Sequence, residues 1–138
     1  MKQSLQEVCE QLLDLVFDMK HDLLEIAEAQ GLTVAQLYTL IAITRHGTMP
    51  MGKVADVLHC DASNVTGIVD RLVARDFISR RESERDRREK ILALTPAGKD
   101  VINNYLSILP ERLCASKLDD QDYVALAGIF KKLNDSRL

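Results

Sequence analysis

A chain of 138 residues, 46% hydrophobic and 28% charged, has the size of one compact domain and enough apolar content to bury a core. It has no apolar run of about 18 residues and no basic start followed by an apolar block, so a cytoplasmic protein with no membrane partner is expected. The net charge of −3 argues against a nonspecific nucleic-acid coat, and the three scattered cysteines, Cys9, Cys60 and Cys114, form neither a disulfide framework nor a CxxC zinc pair.

Over residues 5–29 apolar side chains recur in steps of three and four: Leu5, Val8, Leu12, Val16, Met19, Leu23 and Ile26. A second stripe, Cys9, Leu13, Phe17, Leu24 and Ala27, widens this face beyond what one small partner helix covers, which points to burial between subunits. Gly31 stops the helix, and Thr33 with Gln36 forms a capping-box signature for another over 34–45. Gly47 and Pro50 predict a turn over 47–51, followed by a short helix over 53–59. Asp61 is the expected N-cap of a helix over 62–75, with Val65, Ile68, Val69 and Leu72 on its buried side.

Two short apolar segments, 77–82 and 90–94, flank a charged tip and read as a β-hairpin. Thr95 and Pro96 open the next helix, in which Gly98 is expected to cost little and which Pro110 is expected to kink or end. A last helix is expected to begin at Asp119, with Val124, Ala127, Phe130 and Leu133 facing inward. The expected fold is mainly α with a small β-wing: one domain over 1–138, with a winged helix-turn-helix core over 33–94. The flanking segments 1–30 and 96–138 are the expected dimerisation helices.

Charge is distributed unevenly along this plan. From Asp70 to Lys90 eight cations face six carboxylates, +2 in all, which leaves the rest of the chain at −5. Two short helices followed by a basic hairpin match the geometry by which a helix enters the major groove. The second helix exposes Ser63, Asn64 and Thr66, short polar groups suited to base edges and phosphates, although Ser and Asn also suit a helix start. Arg71, two turns on, is placed to reach a phosphate or to brace the wing. At the tip, Arg85, Arg87 and Arg88 project where guanidinium groups can enter a minor groove. Asp86 among them is expected to hold an arginine through a bidentate pair.

With these elements in place the chain resembles the MarR family of bacterial regulators. The stretch runs from LTVAQLYTLIAI through KVADVLHCDASNVTGIVDRLVARDFISRRESERDRREKILALTPAG. The resemblance rests on the D-x-R pair Asp86 and Arg88, the LTPAG that closes the wing and the RL within the second helix. It implies a homodimer built from the first and last helices, bound to a pseudo-palindromic site in double-stranded DNA. Arg88 would enter the minor groove, supported by Asp86 and Arg71, with Arg87 a less certain contact. It further implies a repressor whose DNA affinity falls when a small aromatic or anionic effector binds. Leu13, Phe17, His21, Tyr38 and Ala42 are the candidate lining of that site.

Two other readings stand beside this one. Cys9 lies where hydroperoxide-sensing members of the family carry a reactive thiol, but no neighbour activates it, and a small buried hydrophobe is the plainer role. A winged-helix module that docks a protein partner instead of DNA is the other. No nucleophile–base pair, phosphate-cradling glycine loop or metal motif is present, so neither enzymatic activity nor a cofactor or metal is expected.

Overall fold

The computed structural model describes residues 3–112 and 117–136. Helix α1 (Leu5–Ala29) is opened by a capping box in which Ser4 Oγ accepts the Glu7 N–H and the Glu7 carboxylate accepts the Ser4 N–H. It stops at Gly31, whose φ of +67° is a left-handed conformation that glycine adopts without penalty. Helix α2 (Val34–His46) begins with the expected box, Thr33 Oγ1 accepting the Gln36 N–H and Gln36 Oε1 accepting the Thr33 N–H.

Strand β1 (Thr48–Pro50) and helix α3 (Met51–Leu58) follow. Helix α4 (Ala62–Ala74), strands β2 (Ile78–Glu82) and β3 (Lys90–Leu94), helix α5 (Pro96–Arg112) and helix α6 (Asp120–Asp135) complete the order. Two compact units result, Met1–Tyr105 and Leu106–Leu138.

In the first unit α2 is central, touching α1, α3, α4, β1 and β3. Its apolar residues accordingly wrap much of its circumference rather than one stripe. Leu37, Leu40 and Ile43 are fully buried, with Val54 of α3, Val69 and Leu72 of α4, Ile78 of β2 and Leu92 of β3. The strands form an antiparallel sheet in the order β1-β3-β2, with Met49 opposite Leu92 and Arg80 opposite Leu92 on the other side.

β1 replaces the turn expected around Pro50. Three residues are too few to show a period-2 pattern, and this strand exists because β3 pairs with it and Met49 is buried there. Pro50 is tolerated because β1 is an edge strand, where a missing N–H removes no interior ladder bond.

The start of α5 is held tightly. Thr95 Oγ1 accepts the Gly98 N–H at 3.1 Å and donates to the Asp76 carbonyl, tying helix α5 to the turn before the wing. Thr95→Ala is expected to lower stability by about 1–2 kcal/mol through loss of both bonds, read as a fall of several degrees in the unfolding midpoint. Gly98 is not the mild liability expected of it: a Cβ there would lie 2.0 Å from the Phe77 carbonyl oxygen. Nor does Pro110 end α5, which runs on to Arg112.

α6 is capped by Asp119, whose carboxylate accepts the N–H groups of Gln121 and Asp122 at 2.9 Å. Its apolar residues do not face inward within this chain. Val124 is 75% exposed and Phe130 51%, and Ala127 and Leu133 are exposed as well. The front of α1 is similar, with Leu5 79% and Phe17 66% exposed, while only Leu23, Ile26 and Ala27 near its end are buried.

Candidate DNA interface

The short helix α3, a tight link and α4 form the helix-turn-helix. His59 makes the link possible by adopting a left-handed conformation, φ 51° and ψ 44°, as the Cys60 N–H bonds to the Ala55 carbonyl at 3.1 Å. Asp61 occupies the N-cap position of α4, but its side chain makes no capping bond. Val65, Val69 and Leu72 bury one side of α4 and Ile68 is half-buried, which leaves Ser63, Asn64 and Thr66 exposed over its first turns.

The wing tip spans residues 83–89 and is built from backbone bonds. The Ser83 N–H reaches the Glu89 carbonyl at 2.9 Å, the Glu89 N–H reaches the Asp86 carbonyl at 3.0 Å, and Lys90 Nζ meets Glu82 Oε1 at 3.2 Å below them. Asp86 does not grip a guanidinium. Its Oδ1 accepts the backbone N–H of Arg88 at 2.9 Å, two residues on, so its carboxylate sets the turn that aims Arg88 rather than neutralising an arginine. Aspartate suits this place because its short side chain reaches the N–H two positions along.

Arg85, Arg87 and Arg88 are all exposed, and among the described residues no carboxylate pairs with their guanidinium groups. The strongest charge on the tip is therefore directed at solvent, where an external anion can meet it.

The wing is braced by a residue other than the one expected. Arg80 of β2 donates from Nη1 to Asp70 Oδ1 of α4 at 2.8 Å, which links helix and hairpin directly. Both side chains are partly exposed, so this pair serves alignment more than stability. Neither residue carries a local signal in sequence, because their meeting depends on how the hairpin folds back on α4. Arg71 faces elsewhere. It lines an open cleft of about 570 Å³ between α2 and α4 with Tyr38, Cys60, Ser63, Asn64 and Ile68.

A second cleft, about 370 Å³, lies on the other side of Tyr38 and is lined also by Ala42, Arg45, Leu58, His59 and Tyr105. Burial pushes the Tyr105 phenol above its ordinary pKa, opposed by nearby Arg45 and reinforced by Tyr38, so it remains an O–H donor at neutral pH. Of the five residues expected to line a ligand site, Tyr38 and Ala42 share this cleft. Leu13, Phe17 and His21 lie on exposed parts of α1 and line neither cleft, and His21 Nε2 instead sits 3.3 Å from Glu25.

Cys9 is exposed on α1, so the buried role expected of it does not hold within a single chain. Cys60 is half-buried, and Cys114 lies outside the described residues. Among the described residues no cluster of three or more His, Cys, Asp or Glu side chains is placed to hold a metal ion, and no single helix is long and apolar enough to cross a membrane.

A helix-turn-helix followed by a basic hairpin on a three-stranded sheet defines a winged helix-turn-helix protein. A model of the MarR family matches residues 32–90. The HTH-type transcriptional repressor MdtR of Bacillus subtilis is 34% identical over 101 residues, 65% of each chain. The HTH-type transcriptional repressor NicR of Pseudomonas putida is 28% identical over 107 residues, 76% of this chain and 68% of the relative. The chain thus spans just under two thirds of the first relative's length and just over two thirds of the second's. The crystal structure of the YusO protein from Bacillus subtilis superposes with a TM-score of 0.63 at 28% identity, covering 96% of this chain and 99% of that one. Over its winged helix-turn-helix core the chain is thus similar to the MarR family.

Proposed function

We propose that the protein is a sequence-specific transcriptional repressor that binds double-stranded DNA as a homodimer, acting by binding and not by catalysis. The observation that carries this reading is the wing tip, where exposed guanidinium groups pair with no carboxylate among the described residues, together with the exposed polar first turn of α4. A duplex meets such a surface with phosphates and base edges together. Ser63, Asn64 and Thr66 read the major groove; Arg88 enters the minor groove, with Arg87 beside it and Asp86 shaping the turn. Arg71 sits at the helix flank near the phosphates. The two relatives named as repressors support the direction of control.

The exposed apolar faces of α1 and α6 support the homodimer, because a soluble monomer rarely leaves so many large apolar side chains in water. In that assembly residues 33–94 read DNA while 1–30 and 96–138 join the subunits. Selection from a random duplex pool tests the proposal. Enrichment of a palindrome is expected, whereas no enrichment at low salt from folded, dimeric protein overturns it and favours a protein-docking module.

A small aromatic or anionic effector acts, in this proposal, at the clefts that share Tyr38. Arg71 on one side and Arg45 on the other offer positive charge, and Tyr105 offers a hydroxyl donor, around apolar walls. A hydroxybenzoate series at about a hundredfold excess over Kd is expected to raise the unfolding midpoint by about 9 °C. Tyr38→Ala should abolish the shift. No stabilisation by any member of the series would remove the effector site from the proposal.

A further inference from the structure

The C-terminal end of α1 is capped from a different helix. Its last turn holds no basic residue of its own, although carbonyl groups at a helix C-terminus present the negative end of the dipole. Arg75, the residue that closes α4, supplies the missing cation from 44 and 45 residues along the chain. Its Nη1 donates to the Gly31 carbonyl and its Nη2 to the Gln30 carbonyl at 3.1 Å. The same guanidinium lies 4.7 Å over the centre of the Phe77 ring, where the chain enters the wing. Phe77 is itself fixed, its N–H bonded to the Leu72 carbonyl at 3.0 Å and its carbonyl to the Thr95 N–H at 3.1 Å. One planar side chain therefore joins the end of α1, the end of α4 and the root of the wing.

We infer that Arg75 is a positioning residue that sets the angle at which α4 and the wing are carried on α1, and through it the spacing between the two DNA half-sites. The inference rests on the DNA-binding reading above and on α1 joining the two copies. Arg75 need not touch DNA for this role. Each base pair of spacing turns one half-site by about 35° around the duplex, so a head held stiffly on α1 accepts one spacing and a loosened head accepts several. Arginine suits the position because its fork serves two carbonyls while its face stacks on a ring, a combination lysine lacks.

The test has two arms. Without DNA, nitroxides at Asp18→Cys on α1 and Glu84→Cys on the wing, with the native cysteines replaced, report the intrachain distance by pulsed electron resonance. Labelled chains are diluted into unlabelled ones so that only distances within a chain are read. Arg75→Gln is expected to widen the distribution and Arg75→Lys to fall between it and the parent, and an unchanged width for Arg75→Gln overturns the clamp.

In the second arm, binding is measured to the selected half-sites at their preferred spacing and at one and two base pairs either side. The parent is expected to prefer one spacing by about tenfold and Arg75→Gln to bind all within about threefold, with base preferences inside each half-site retained. An equal loss at every spacing would make Arg75 a phosphate contact and overturn the inference. A parent that selects no duplex overturns the DNA-binding reading and the spacing role with it, while the width measured in the first arm reports separately on the clamp.

Discussion

Replacing Arg87 and Arg88 together with alanine is expected to weaken binding to the selected operator on the order of a thousandfold at moderate salt. The dimer would lose four guanidinium groups, each worth about 1 kcal/mol or more at a DNA surface. Their loss is also expected to flatten the dependence of log K on log salt by roughly 3 to 4, because each phosphate neutralised releases close to one counterion. Fold is not at stake, since both side chains are exposed and pair with no carboxylate among the described residues. The unfolding midpoint should accordingly hold within what about 0.5 kcal/mol produces.

Filter or fluorescence titrations across a salt series, with thermal unfolding alongside, measure both quantities. Loss of affinity with an unchanged salt slope would mean that the arginines act other than through phosphates. Affinity within threefold of the parent would remove the wing from the interface. Minor-groove insertion by Arg88 adds a further expectation, that the variant loses preference at positions flanking the half-sites, where narrow A·T-rich grooves attract a guanidinium.

Gly98→Ala is expected to be the most destabilising single substitution considered, by about 3 kcal/mol, which lowers the unfolding midpoint by roughly 10 °C. The added Cβ would sit 2.0 Å from the Phe77 carbonyl oxygen, 3.0 Å from its carbonyl carbon and 3.3 Å from Leu94 Cδ2. Backbone cannot swing aside as the end of a flexible side chain can. Retreat is blocked further because this same carbonyl accepts the Thr95 N–H, while Thr95 Oγ1 holds both Gly98 and Asp76. Moving α5 away would break these bonds together.

Gly52→Ala supplies the control. Gly52 is helical and a Cβ there meets nothing within 4 Å, so the change should be neutral or stabilising by up to about 1 kcal/mol. A Gly98→Ala variant as stable as the parent would show that the packing of α5 on the α4–β2 turn is not what holds this end of the wing.

Local chemistry made most of the fold legible. The bounds of α1 follow from its periodicity and from Gly31, α2 from the Thr33–Gln36 box, α5 from Thr95 and Pro96, and β2 and β3 from two apolar segments around a charged tip. The exposure of Ser63, Asn64 and Thr66, and of Arg87 and Arg88, also follows from the sequence. Each lies on the polar side of a short amphipathic element whose apolar side is consumed by the core.

Features made by distant segments were not legible in this way. β1 is a strand only because β3 lies beside it, and Gly98 is obligatory only because Phe77 passes against the first turn of α5. Asp86 looked like a partner for arginine because charge pairing is the first expectation for alternating charges, whereas the turn geometry offered it a backbone N–H instead. The inward stripe read on α6 is apolar as expected but faces solvent in one chain, since periodicity shows that a face is to be covered without showing by what.

Apart from β1, sequence alone thus determined which segments are helix, strand and tip, because capping, periodicity and turn chemistry act over a few residues. Tertiary structure decided which side chains brace them: Arg80 on Asp70, Arg75 on the end of α1 and Thr95 on Asp76. These contacts span 10 to 45 residues, and a side chain's reach across that separation depends on where folding has already placed the backbone.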